Sequence, residues 1–148
     1  MNELVIALGW AGVYGAMALA SMGSAIGCAV AGQAAIGAMM DTDSGYGRYI
    51  GASLMPASQT IYGLVVMFTL QRTVTPENAP ALFGIGILVG LAQMISAIRQ
   101  GQACASAIHA CKTKPEIFGL SLAPAAIVEG FAIFAFVFAL VLAGRIPG

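Results

Sequence analysis

Uncharged apolar runs extend over 4–40, 49–71 and 78–98, and a fourth over 117–144 is interrupted only by Glu129. Each meets or exceeds the roughly 20 residues that cross a hydrocarbon core about 30 Å thick as a helix. A soluble body cannot be built around them. Of all residues 59% are hydrophobic and 8% charged, against about 25% charged in an ordinary soluble domain, so too few polar groups remain to cover a core of this size. The apolar side chains must face lipid and one another. The expected fold is therefore an all-α, multi-pass protein of the cell membrane with four transmembrane helices. A formal net charge of zero with no basic run removes the electrostatic footprint that phosphate binding needs, which excludes nucleic acid as a partner.

The first run is 37 residues long, from Leu4 to Met40, with neither proline nor polar turn at its middle; one long helix is the simplest reading. The third helix must then continue past Arg99 to about Ala110 to match it. Short polar breaks at 41–48, 71–78 and 109–116 read as turns. The opening Met-Asn-Glu and the length of the first run argue against a cleaved secretory signal. Cys28, Cys104 and Cys111 lack metal or redox spacing and read as small packed thiols.

The chain also repeats itself. Ser24-Ala-Ile26 recurs as Ser96-Ala-Ile98, and at the same offset of 72, Ala31 matches Ala103 and Ala35-Ile36 matches Ala107-Ile108. Two duplicated hairpins, over 1–75 and 76–148, are the economical account. Gly23, Gly27, Ala31 and Ala35 form a stripe on helix one, and Ala97, Gly101 and Ala105 one on helix three. Such stripes let helix backbones approach closely in lipid.

Polar groups collect at one depth. Gln59, Gln100 and Glu129 all lie about 20–24 Å from their nearest turn at 1.5 Å rise per residue, with Ser58 beside Gln59 and the Tyr62 hydroxyl one turn on. An acid at this depth is costly unless it is protonated, paired or cation-bound, so Glu129 is the natural functional centre. Neutral oxygens around one carboxylate suit a hard monovalent cation or a proton; no His, Cys or second acid accompanies them to make a transition-metal site. Arg99 is at nearly the same depth, but successive helix residues point about 100° apart, so it and Gln100 cannot face one partner. It is expected to face a wet or lipid-filled inner surface, or to snorkel. His109, Lys112 and Lys114 in the last turn, with Arg48 in the first, favour cytoplasmic turns and external termini; His109 reads as part of that polar turn.

The duplicated hairpin, the glycine-rich first helix, Met55-Pro-Ala-Ser-Gln-Thr-Ile-Tyr-Gly63 and Ile127-Val-Glu-Gly-Phe-Ala-Ile133 together resemble the proteolipid rotor-ring subunit of V-type (V/A-type) ATPases and ATP synthases. The resemblance implies a ring of identical subunits in lipid, turning against a stator subunit with an essential arginine and meeting a central-stalk subunit at the cytoplasmic loops. It implies that Glu129 carries Na⁺ or H⁺, with no organic cofactor and no catalysis by the chain itself. By the same resemblance a sodium seat would comprise the Met55 carbonyl, Ser58, Gln59, Gln100 and Glu129, with Tyr62 hydrogen-bonding the carboxylate. Gln59 stands where the first hairpin could carry a second acid, leaving one ion per double hairpin. Ser58 replaces the threonine common in sodium sites, and Arg99 beside Gln100 departs from the expected pattern. Rival readings are a small proton-coupled four-helix transporter and a structural scaffold. The transporter would need a substrate cavity with aromatic lining, yet helix one is walled with Gly and Ala and aromatics make up 8% of the chain.

Overall fold

The computed structural model describes residues 1–147; Gly148, the end of the second hairpin as read from the sequence, lies outside them. Its four long helices are α1 (Asn2–Met40), α2 (Tyr46–Leu70), α3 (Ala79–Thr113) and α4 (Pro115–Ala143), each long and apolar enough to cross a membrane. Helices α1 and α3 run unbroken for 39 and 35 residues, or roughly 50–60 Å, and so outreach the hydrocarbon. Proline shapes the other two. Pro56 has no N–H and clashes with the carbonyl four residues back, and α2 tightens to a 3₁₀ turn over Met55–Ala57. Helix α4 opens with a similar turn at Pro115–Ile117 and breaks again at Leu122, ahead of Pro124.

The two hairpins meet through α1 and α3, which lie parallel with the register of the repeat. A Cβ added at Gly12 would strike Leu82 and Phe83, one at Gly23 would strike Met94, and one at Gly27 would strike Ala97. A Cβ on Gly101 in turn would meet the Gly27 backbone. Only glycine permits this approach, in which van der Waals contact and shape take the place of the hydrophobic effect that lipid cannot supply. Helices α2 and α4 pack outside this pair and touch each other where Tyr62 stacks on Phe136, ring centres 5.2 Å apart. Most of α4 is uncovered within one chain, with Phe131, Phe134 and Phe138 exposed.

The ends are tied by polar contacts. Arg72 donates to the Ile146 carbonyl at 2.8 Å and to those of Thr69 and Ala143 at 3.2 Å, satisfying orphan carbonyls at the C-terminal ends of α2 and α4. Before α3, the Thr75 N–H donates to Asn78 Oδ1 at 2.9 Å and the Asn78 N–H to Thr75 Oγ1 at 3.4 Å, a reciprocal cap. There its own backbone N–H and the Thr75 hydroxyl hold the Glu77 carboxyl below the usual range. That contribution is present above ordinary carboxylate values and is lost on acidification.

The third turn differs from expectation. Residues 109–113 continue α3, so His109 lies on an exposed helical face rather than in a polar turn, and only Lys114 separates Thr113 from Pro115. Lys112 pairs with Asp41, and that ion pair with the loop after α1 favours the extra helical turn. Likewise Tyr46, Gly47 and Arg48 already belong to α2, whose start is set by Gly45 at φ 84°.

Because the Gly101 position abuts the Gly27 backbone while Gly37 has open space around it, two alanine variants should diverge. Gly101→Ala should lose about 1–3 kcal/mol through overpacking, whereas Gly37→Ala should be neutral or gain up to about 1 kcal/mol of helix propensity. Thermal unfolding of the detergent-solubilised protein checks the pair; equal behaviour would contradict the packing described.

Candidate cation site

The six residues singled out from the sequence come together on three helices. The 3₁₀ turn at Pro56 turns the start of the second half of α2 inward, so the Met55 carbonyl, Ser58 and Gln59 gather within one turn. The Ser58 hydroxyl lies 3.1 Å from the Met55 carbonyl and 3.2 Å from Gln59 Oε1. Gln59 is wholly buried, and its Nε2 donates to Gln100 Oε1 on α3 at 2.8 Å. Gln100, equally buried, donates from Nε2 to Glu129 Oε2 at 3.1 Å and also reaches the Ala125 carbonyl at 3.3 Å. On the far side of the carboxylate, the Tyr62 hydroxyl donates to Glu129 Oε1 at 3.1 Å.

Each Glu129 oxygen thus accepts one neutral donor, and no cation of the chain pairs with it among the described residues. An acid with neutral donors on both oxygens is positioned without being neutralised, so its charge is open to a proton or a cation. The oxygens of Met55, Ser58 and Gln59 cluster within one turn of α2, linked to the carboxylate through Gln100, and are a hard donor set suited to a hard cation. Arg99, the obvious competitor, is exposed on α3 and its Nη1 donates to Gln102 Oε1 at 3.0 Å. It lines the groove between α3 and α4 with Val128 and Phe131 and makes no ion pair with the carboxylate among the described residues.

Two further side chains, which counting depth along the sequence does not single out, hold α4 in place. Gln93 Nε2 donates to the Ala132 carbonyl at 2.8 Å and Ser96 Oγ to that of Val128 at 3.1 Å. With Gln100 they stand at i, i+3 and i+7 on α3, one face of a helix, and clamp three α4 carbonyls in a row. That spacing is the signal by which a sequence can reveal them. The Gln93 Oε1 atom is buried with no hydrogen-bond partner among the described residues.

The family model for the C subunit of ATP synthase matches the chain twice, over residues 11–70 and 83–142. The A-type ATP synthase subunit K of Methanocaldococcus jannaschii is 37% identical over 123 residues, 80% of this chain and 56% of that protein. The chain thus spans little more than half the length of that relative. The V-type sodium ATPase subunit K of Enterococcus hirae is 28% identical over 125 residues, 82% of this chain and 80% of the relative.

The two glutamines of α3 should differ under substitution by leucine. Gln100→Leu leaves the buried Gln59 amide only a long 3.5 Å bond to the Ser96 hydroxyl and frees one carboxylate oxygen, a loss of about 1–3 kcal/mol for each group left unmet. Gln93→Leu gives up one hydrogen bond but also removes an oxygen that has no partner, so its cost should stay near or below about 1 kcal/mol. Parallel thermal melts of the two variants decide it, and a larger loss for Gln93→Leu would contradict the network.

Proposed function

We propose, because this chain belongs to the family of ATP synthase C subunits, that it is the rotor-ring subunit of a V/A-type ATPase or ATP synthase and carries Na⁺ across the membrane on Glu129. It is an integral, multi-pass membrane protein. Identical copies form the ring, a stator subunit supplies an arginine, and the cytoplasmic loops meet a central stalk. Hydrolysis or synthesis of ATP belongs to other subunits of such a complex.

The observation that carries this reading is the Glu129 carboxylate, held between Tyr62 and Gln100 with neither a positive partner nor a second acid. A cation or proton there cancels the charge, so the loaded group can face lipid at low cost. Release needs the charge to be met from outside the chain. An arginine on the stator does so as the ring turns, and each elementary charge moved through the potential is worth about 2.3 kcal/mol per 100 mV. Gln59 and Gln100 keep the carboxylate in position through both states.

Sodium is the favoured guest for two reasons. The name of the Enterococcus hirae relative specifies a sodium ATPase, and the oxygens of Met55, Ser58 and Gln59 form a polar shelf on α2, joined to the carboxylate through Gln100. Ser58 serves where a threonine is usual, since the hydroxyl is the ligating group in either side chain.

Labelling with dicyclohexylcarbodiimide tests the assignment. It should modify Glu129 in membranes, with protection rising with Na⁺ at constant pH, and the Glu129→Gln variant should neither be labelled nor couple ion movement to ATP turnover. Protection that follows pH alone would replace Na⁺ by H⁺ as the guest. Coupled transport by the Glu129→Gln variant would sink the proposal.

A further inference from the structure

We propose that the cavity at the loop end of the bundle, between Arg48 of α2 and Lys112 of α3, is a binding pocket for a phosphate group, borne in the membrane by a phospholipid headgroup. The proposal needs only the membrane-spanning fold and is independent of which ion Glu129 carries.

The loop after α1 leaves the opening. Gly45 takes φ 84°, a left-handed conformation that glycine adopts without steric cost, and α2 begins directly after it with no side-chain cap. The cavity there measures about 180 Å³, and its walls include Thr42, Ser44 and Gly45 of the loop, Arg48 and Tyr49 of α2, and Lys112 of α3. That is well above the roughly 10–15 Å³ that admits a single water, so a group the size of phosphate has room.

Tyr49 is the sign that the pocket has a guest. Its side chain is only 3% exposed and belongs to the same apolar cluster as Ala38, Ala52 and Ile108. Its hydroxyl end nevertheless lines the pocket, 3.8 Å from where a Cβ on Gly45 would stand. That hydroxyl has no hydrogen-bond partner among the described residues, although a buried phenol normally finds one.

The charges point the same way. Arg48 makes one long bond, 3.4 Å, to the Pro115 carbonyl, which leaves most of its donor fork free. Lys112 is paired with Asp41. Together these three groups carry one net positive charge, which one phosphodiester cancels. The hydroxyls of Tyr49 and Ser44, the guanidinium and the ammonium are all donors, so the guest they suit is an anion with several acceptor oxygens. A carboxylate offers two oxygens in one plane. Phosphate spreads its oxygens over a tetrahedron and so meets donors arriving from the loop, α2 and α3.

Depth identifies the bearer. Helix α4 has 29 residues and rises about 43 Å, the thickness of the hydrocarbon plus both headgroup layers. Pro115, its first residue, also lines the pocket, which puts the pocket at the level of lipid phosphates.

Native mass spectrometry of the detergent-solubilised protein, titrated with short-chain phosphatidylglycerol, tests this. Binding should saturate at one lipid per chain, inorganic phosphate should compete, and neither acetate nor diacylglycerol of the same chains should do so. Arg48→Gln should abolish binding. Tyr49→Phe should weaken it about tenfold while leaving the melting temperature without lipid unchanged, since the lost hydroxyl has no partner in the chain. Arg145→Gln, at an exposed site beyond the other end of α4, should alter nothing. Equal losses in Arg48→Gln and Arg145→Gln would reduce the effect to surface charge and overturn the pocket, as would no saturable binding of either phosphate source. Competition by acetate as strong as that by phosphate would overturn the phosphate assignment. Saturable binding of inorganic phosphate with none of phosphatidylglycerol would keep the pocket and overturn the lipid as bearer.

Discussion

The structure depends first on how closely two helices can approach when lipid supplies no hydrophobic drive between them. Along α1 and α3 the answer is set by glycine: Gly12, Gly23, Gly27 and Gly101 bring backbone against backbone. Once that pair is locked in parallel register, the polar side chains of α3 have a fixed height and direction. Gln93, Ser96 and Gln100 then reach α4, and Gln59 on α2 reaches Gln100. The carboxylate of Glu129 is held at the end of this chain of contacts. A few tenths of an ångström gained by a methyl group in the seam would be felt at the acid, although no seam residue touches it.

The division of labour between the hairpins follows from one difference. The second hairpin carries Glu129; at the corresponding height the first offers Gln59, an amide that donates to Gln100 and presents its oxygen to Ser58. An acid there would have put two like charges within one apolar site, at a cost that neither hydrogen bonds nor distance could offset. The first hairpin thus holds Gln100, through Gln59, where it meets the Glu129 of the second. Its proline-tightened turn at Met55–Ala57 gathers the Met55 carbonyl, which accepts from the Ser58 N–H, with the Ser58 hydroxyl and the Gln59 amide oxygen in one turn.

Much of this is legible in the residues. Constant helical rise is enough to place Gln59, Gln100 and Glu129 at one depth, and the repeat of Ser-Ala-Ile is enough to pair α1 with α3. Rotation about the helix axis is harder to read, because depth counting ignores it. For that reason Gln93 and Ser96, a turn or two from Gln100 on the same face, do not stand out, and the direction of Arg99 rests on a 100° step alone. The third turn misleads for another reason. His109 and Lys112 look like loop residues in an apolar chain, but Lys112 finds Asp41 across the hairpin boundary and the helix runs on. Such pairing depends on which ends are brought together, and composition does not record it.

The three-way grip of Arg72 on the carbonyls of Thr69, Ala143 and Ile146 has a mechanical meaning. It fastens the ends of α2 and α4 that lie away from the loop at 41–45, while further along they meet where Tyr62 stacks on Phe136 and donates to Glu129. The two outer helices behave like the arms of tongs riveted at the handle. Arms held together at one end cannot slide past each other there, so a displacement of α4 at that end is passed directly to α2.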